Sequence, residues 1–354
     1  VLGPDGAPAD DAEDDAAGGH ADLVLTGVAA PGRLDAVLAA LPGAPSRSRV
    51  QGLLTAGEAT VDGLPVTRGG HRLRGGEVLT LRVPAPPAAA LVAQDLGVPV
   101  VHLDADVIVV DKPAGMAVHP ARGHADGTLV NAVLHLLSVP APGTEVRGHA
   151  VDPARPGVVH RLDLGTTGLL VLARTPAAHA HLGQQFHDHT VERRYLALVR
   201  GAVPDGPRRV DAALGRHPTD RLRFAVRPDG RRAVTHVRPL GVGRWPGGGA
   251  VSLVACRLET GRTHQVRVHL ASLGHPLVGD ALYGEGRGLP PLPDGRVPPH
   301  PLLHAAVLGF AAPDGSGRRR FCAGPPPCFA EVAAVCGLGA AAASAVAAWG
   351  AGRD

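Results

Sequence analysis

The stretch Gly157-Val158-Val159-His160-Arg161-Leu162-Asp163-Leu164-Gly165-Thr166-Thr167-Gly168-Leu169-Leu170-Val171-Leu172-Ala173-Arg174 constrains the fold more than any other part of the chain. Its two aliphatic runs, Val158-Val159 and Leu169 to Leu172, read as short buried strands. Between them lies a polar segment with one carboxylate amid His, Arg and two Thr. Such a segment presents its side chains to a cleft, which leaves Asp163 partly shielded from water with Arg161 two residues away. A turn aspartate taken alone most often caps its turn or pairs with an arginine. Whether this one does chemistry depends on what the rest of the chain brings to it.

With 354 residues, 45% of them hydrophobic, there is room for one large domain and one small one, and for a sizeable core. Aromatics make up only 3%, so Val, Leu and Ala must fill that core. The formal charge is +3, but the first thirty residues hold seven acids and no Lys or Arg. The remainder therefore sets 35 basic residues against 25 acids, a net +10 that suits a polyanionic partner. Lys112 is the only lysine, which marks it as a place where a guanidinium cannot replace a compact ammonium. The four cysteines, Cys256, Cys322, Cys328 and Cys336, form no Cys-x-x-Cys pair and read as reduced thiols. No apolar run approaches the length of a membrane span, so the expectation is a cytoplasmic monomer with no membrane contact.

In chain order, residues 1–20 read as a disordered acidic tail. Residues 21–83 carry apolar positions at helical spacing from Arg33 to Leu41, a second helix opened by Ser46 or Ser48, and three strands turned at Asp62-Gly63 and Gly75-Gly76. This is a small αα-βββ domain. Arg47 and Arg49 lie at the start of its second helix, where charge and backbone donors could meet phosphates. A Pro/Ala linker spans 84–94, a larger domain spans 95–337, and an Ala-rich tail spans 338–354.

In the larger domain, Val107 to Val110 reads as a buried strand leading into Asp111-Lys112-Pro113-Ala114-Gly115, and Gly127 to His135 reads as a helix packed on the sheet. His179, His181, His187 and His189 have no Cys or carboxylate to complete a metal set, and none is assigned. Val191 to Gly201 alternates as a strand and carries Tyr195, one of two tyrosines. Arginines then crowd the chain up to Arg232, a pattern that serves either a solvated face or a phosphate footprint. The last strong string is Thr260-Gly261-Arg262-Thr263-His264-Gln265-Val266-Arg267-Val268-His269, with Gly274-His275-Pro276-Leu277-Val278-Gly279-Asp280 after it.

His160-Arg161-Leu162-Asp163, the Lys112-Pro113-Ala114-Gly115 segment and the string from Thr260 to His269 together resemble the RluA-type pseudouridine synthases, and the small domain resembles an S4 RNA-binding domain. Leu164-Gly165 stand where the family usually has a charged pair, and Thr167 stands where it usually has Ser. The resemblance implies an α+β catalytic domain on a mixed central sheet that isomerises uridine in RNA without cofactor or metal. It implies Asp163 as the catalytic carboxylate, Arg267 as its partner, and Tyr195 and Val266 against the target base. Arg161 and Arg262 join Arg47 and Arg49 as RNA-binding candidates. Large-subunit ribosomal RNA is the expected substrate; a tRNA-directed synthase and a non-catalytic S4-type RNA-binding or ribosome-assembly protein are the alternatives.

Overall fold

The computed structural model describes residues 23–84, 91–120, 124, 126–138, 157–220, 222–284, 289 and 291–353. The expected acidic tail at 1–20 lies outside the described residues, as does most of the Pro/Ala segment. The chain divides into two compact units, with the boundary between Ala89 and Ala90.

The smaller unit contains β1 (Leu23–Val28), β2 (Gly32–Arg33), α1 (Leu34–Ala39), α2 (Arg47–Thr55), β3 (Ala59–Val61), β4 (Leu64–Pro65), β5 (Arg72–Leu73) and β6 (Val78–Val83). The expected order of two helices and then strands holds, but β1 and the two-residue β2 precede them, and β1 pairs with β6 along its whole length, from Leu23 opposite Val83 to Val28 opposite Val78. Its short run, interrupted by Gly27, gives no independent strand signal; the pairing comes from the partner strand. Asp62 and Gly63 both have positive φ, 50° and 78°, as a two-residue hairpin turn with right-handed strand twist requires. Leu34, Leu38, Val50, Leu54, Leu79 and Leu81 make the core. Beside it the fully buried Asp35 accepts from Arg33, Arg47 and Gln51. The hydrogen bond from Arg33 leads these contacts in holding the Asp35 carboxyl well below its ordinary range. Arg47 thus ties α2 to α1 through Asp35 while its side chain stays half exposed, and Arg49 is exposed as well.

The larger unit is built on one mixed sheet of nine strands. In chain order its elements are β7 (Val100–Leu103), β8 (Val107–Lys112), α3 (Leu129–Ser138), β9 (Thr167–Ala173), α4 (Pro176–His187), β10 (Glu192–Arg200), β11 (Arg208–Asp211), β12 (Leu214–Arg216), β13 (Phe224–Val226), β14 (Val234–Arg244), β15 (Ala250–Leu258), α5 (Gln265–Ser272), β16 (Leu303–Ala311), β17 (Arg318–Cys322), α6 (Pro327–Val335) and α7 (Gly339–Gly350). The strands run β11-β14-β15-β10-β16-β9-β8-β7, with β17 added to β16 and β12-β13 as a separate ribbon. All pairs are antiparallel except β16 with β9. One face of the sheet buries Ile108, Val110, Leu170, Leu172 and Val254 against α3 and α5. The other lies under α4, through Ala178 and Leu182, and under α6 and α7.

Three boundaries differ from the sequence reading. Val158-Val159 is not a strand; Val158 makes a single antiparallel bridge to Leu172. Residues 91–94 are not linker, because Val92 and Gln94 bond to Asn131 in α3 and Gln94 also accepts from Gly127. The Ala-rich end is not a tail: α7 buries Ala342, Ala345 and Trp349, the last at 1% exposure. Small residues at helical spacing let that helix lie close to the sheet, with Trp349 filling the remaining volume.

The parallel contact of β9 with β16 sets His304 opposite Thr167 and Ala305 opposite Gly168. Gly168 has φ +113°, and a Cβ there would come within 2.3 Å of the Ala305 carbonyl oxygen. Any side chain must push the two central strands apart. Gly168→Ala is expected to lower folding stability by about 2 kcal/mol or more, read as a lower denaturant midpoint with an unchanged slope.

Candidate active site

Asp163 sits in the tight turn that feeds β9, closed by the Thr166 N–H on the Asp163 carbonyl at 3.0 Å. Several buried groups hold that turn. Lys112, fully buried at the end of β8, donates from Nζ to the carbonyls of Pro113 (3.0 Å), Met116 (2.8 Å) and Leu164 (3.2 Å). The Gly115 N–H also donates to the Leu164 carbonyl, at 2.9 Å. The single lysine therefore clamps the residue next to Asp163, and its ammonium is used in hydrogen bonds rather than held as a nucleophile. His160 accepts the Val171 N–H on Nε2 at 3.1 Å and stacks on Phe186 at 4.4 Å, which anchors the other side of the turn.

Across from Asp163 stands Arg267, in the first turn of α5. Its Nε and Nη2 grip Asp280 at 2.9 and 3.1 Å, its Nη1 donates to Asp163 Oδ2 at 3.4 Å, and its plane lies over the Tyr283 ring at 5.0 Å. Asp280 in turn accepts the N–H groups of Leu282 and Tyr283. Arg267 is thus held chiefly by Asp280, a residue that sequence reasoning quoted but gave no role. A fully buried carboxylate thirteen residues beyond a buried arginine is a signal only once the fold is known. Burial opposes the Arg267 charge, but Asp280 and then Asp163 outweigh it and its pKa is raised. Burial likewise disfavours the Asp163 carboxylate, yet His264 when protonated, Arg267 and Arg161 bring its pKa below the ordinary value. Asp163 is therefore a shielded anion at neutral pH. Its Oδ1 takes no hydrogen bond from the described residues and is free to meet a reacting atom.

Tyr195 on β10 lies between Cys256 of β15 and Ala305 of β16, at 7% exposure. It shares a cluster with Leu162, Val266 and Met116. Burial first, and the Asp163 charge after it, push its phenol up to about 12, with Arg193 acting the other way. Tyr195 consequently keeps its proton at neutral pH. Val266, at 4% exposure, presents an aliphatic surface one residue before Arg267. The structure thus brings together Asp163, Arg161, Tyr195, Val266 and Arg267. Arg262 is turned away from Arg267 by the motif's own turn, with Nε on the Arg232 carbonyl at 3.3 Å.

The Thr-Gly-Arg-Thr-His-Gln string gains its meaning from its hydrogen bonds. Gln265 accepts from the Thr260 hydroxyl at 2.7 Å and the Arg262 N–H at 3.0 Å, and donates to the Val234 carbonyl and Thr235 hydroxyl. His264, with φ 55°, breaks into the start of α5 and contacts the Tyr283 hydroxyl at 2.8 Å. That hydroxyl accepts the Phe224 N–H at 2.9 Å. These residues aim the first turn of α5, and hence Arg267 and Val266, at the Asp163 turn. Among the described residues no three His, Cys, Asp or Glu are grouped as metal ligands, and no helix is long and apolar enough to cross a membrane.

A shielded carboxylate, a cation locked beside it, and a phenol and an aliphatic side chain sharing one cluster make up the candidate site. The chain belongs to the RNA pseudouridylate synthase family, whose model matches residues 106–272, and an S4 domain model matches residues 32–79. Members of this family convert uridine to pseudouridine within RNA, so the chain is an isomerase. Among its relatives, the ribosomal large subunit pseudouridine synthase D of Xanthomonas campestris pv. campestris is 43% identical over 300 residues, covering 82% of this chain and 84% of that protein. The protein of the same description from Zymomonas mobilis is 42% identical over 285 residues, covering 79% and 86%. The solved structure of human RNA pseudouridylate synthase domain containing 1 superposes with a TM-score of 0.52 at 26% identity, over 70% of this chain and 89% of that one.

Burial also leaves a pH signature. It pulls the pKa values of His160, His264 and His304 down from 6.5 to about 3, 4 and 4, so the folded chain keeps all three rings neutral. Unfolding restores ordinary basicity, and below about pH 6.5 the unfolded chain binds protons that the folded chain refuses. Stability is therefore lost as pH falls from about 6.5 towards 4, at about 1.4 kcal/mol per pH unit for each ring. His160→Gln keeps an acceptor for the Val171 N–H and is expected to remove one ring's share of that slope. Urea melts at a series of pH values read this directly; an unaltered slope would exclude His160 from the set.

Proposed function

We propose that this protein isomerises uridines of large-subunit ribosomal RNA, with Asp163 as the catalytic carboxylate, Arg267 as its charge partner, and Tyr195 and Val266 as the surfaces that receive the target base. The observation that carries this reading is the contact of Arg267 with Asp163 at 3.4 Å beside a buried Tyr195. The reaction breaks the bond from N1 to C1′, turns the uracil within the site, and joins C5 to C1′. A carboxylate kept ionised away from bulk water suits this chemistry, acting as a nucleophile on sugar or base or as the base for an elimination.

A uracil stacked in RNA must be turned out to reach Asp163, at a cost of a few kcal/mol offset by contacts in the pocket. Tyr195 and Val266 supply an aromatic and an aliphatic face for it. The phenol, still protonated at neutral pH, is placed to exchange the proton that must leave C5 once the new bond has formed. Arg161, whose charge acts on Asp163, and Arg262 supply cations for the RNA backbone. The S4 unit adds affinity through its exposed Arg49.

The ribosomal substrate is supported by the descriptions of the bacterial relatives and by the S4 unit that precedes the catalytic one. A cytoplasmic, monomeric enzyme is part of this proposal. Its four cysteines are free, as in a reducing compartment, and one chain supplies Asp163, Tyr195 and Arg267.

Asp163→Asn is expected to abolish pseudouridine formation in large-subunit RNA while leaving RNA affinity within about threefold, since phosphate contacts dominate binding. Mapping pseudouridine in RNA incubated with each protein, alongside a filter-binding titration, makes the comparison. Retained turnover in the variant would overturn the assignment of Asp163.

A further inference from the structure

Arg193 is a buried cation whose charge acts on Tyr195, and the reaction as described does not use it. It lies two residues before Tyr195 on β10, so roughly 7 Å separates their backbones, and the charges of the two side chains act on one another. Only 7% of it is exposed. Its Nη2 donates to the Glu259 carbonyl at 3.2 Å, its guanidinium sits 5.6 Å from the centre of the Phe186 ring, and its Nε has no hydrogen-bond partner. Among the described residues it has no carboxylate partner. A guanidinium this buried normally carries a carboxylate with it, as Arg267 does.

Its surroundings are cationic as well. Arg232 bonds to Glu259 at 3.3 Å, and Arg262 donates to the Arg232 carbonyl. The Glu259 carboxylate is already divided among Arg232, His236 at 2.6 Å and Arg209 at 3.7 Å. His189, exposed just past the end of α4, is held at φ 58°, where Gly or Asn is the ordinary choice. Its ring lies within the fields of Arg193, Arg262 and Arg232, which add to partial burial in lowering its pKa. Gly261 lies at the surface beside them, and a Cβ there would fall 2.4 Å from Arg193 Nη1. The absence of a side chain at that point leaves the guanidinium within reach of a ligand from outside.

We propose that Arg193, Arg262, Arg232 and His189 form a binding site for a backbone phosphate of the RNA, one or two linkages from the uridine held at Tyr195. The phosphate is the anion that Arg193 lacks. It would accept charge-assisted hydrogen bonds from Arg193 Nη1 and from the two more exposed guanidiniums. The strand itself then fixes the distance between phosphate and base, because Arg193 and Tyr195 stand two residues apart on β10. This site rests on the reading that the chain acts on uridine in RNA and adds where the strand is gripped.

The test uses the full-length protein and the shortest ribosomal RNA fragment that it modifies. Neutral methylphosphonate linkages are introduced singly within two nucleotides on either side of the target uridine. One of these positions is expected to weaken binding by the wild-type protein about tenfold, the worth of a hydrogen bond to a charged group. Arg193→Gln is expected to weaken binding of the unmodified fragment by about the same factor and to lose sensitivity to that one linkage, with Arg193→Lys between the two. Should Arg193→Gln fail to fold, Arg262→Gln and His189→Asn, both at accessible positions, carry the same comparison, and asparagine tolerates the backbone at 189. If no linkage costs the wild-type protein anything, or if the cost persists undiminished in the variants, the site is refuted. Pseudouridine formed by the wild-type protein on the unmodified fragment reports separately on the reaction itself.

Discussion

The geometry of the proposed site depends on how Arg267 divides its donors. Two of its nitrogens are taken by Asp280 in a forked pair, and only the third reaches Asp163. A guanidinium paired with Asp163 alone would follow the carboxylate and could neutralise it in a tight fork of its own. Locked on Asp280 and lying over Tyr283, it becomes a fixed positive charge at 3.4 Å, close enough to keep Asp163 ionised and too constrained to cover both of its oxygens. The fixed partner matters because the site is dry enough for burial to work against the anion.

Arg267 is oriented mostly from within its own segment of chain, between Thr260 and Tyr283, with β14 as the outside anchor. Gln265 ties the start of α5 to β14, His264 ties it to Tyr283, and the Gly279-Asp280 turn closes back on the arginine. On the opposite side, Asp163 is oriented by residues from β8 and β9. The parallel pairing of β9 with β16, at the centre of an otherwise antiparallel sheet, lets the turn before β9 and the strand carrying Tyr195 open on the same face. Long-range strand order thus brings the carboxylate both to Tyr195 and to its cation, 104 residues further along the chain, whereas local turns only aim the individual side chains.

That division explains what could be read without coordinates. The strands around Leu169 and Tyr195, the helix after Gly127 and the two-domain order follow from periodicity and turn residues, which are local. The roles of Asp163, Tyr195, Arg267 and Val266 came from matching strings, not from physics acting on single residues. Asp280 stayed hidden because nothing in Gly-Asp marks a buried acid until its arginine is seen. Arg193 is hidden because a run of arginines looks like a solvated face, and only the fold separates it from its neighbour Arg194, which is half-buried and paired with Glu192. The Ala-rich C-terminal helix is hidden by a composition that looks like a tail, and β1 by its brevity, since so short a strand takes its register from its partner.

The one lysine resolves along the same lines. Three carbonyls, from Pro113, Met116 and Leu164, converge on one point beneath the Asp163 turn. A tetrahedral ammonium offers three donors that diverge in space from a single small atom, which suits three acceptors around it. A planar guanidinium spreads its donors along a fork and would need a wider cavity, with acceptors lying in one plane. Where the chain grips a carboxylate, as at Asp35, Asp280 and Glu192, it uses arginine. Where it must gather backbone carbonyls in a fully buried space, arginine does not fit, and lysine stands there even though the rest of the sequence has dispensed with it. The ammonium also places positive charge under the turn at no cost to the Asp163 oxygens, since its donors go to the backbone. The charge that steadies the turn and the charge that faces Asp163 are therefore separate groups, and the anion keeps an oxygen free for its substrate.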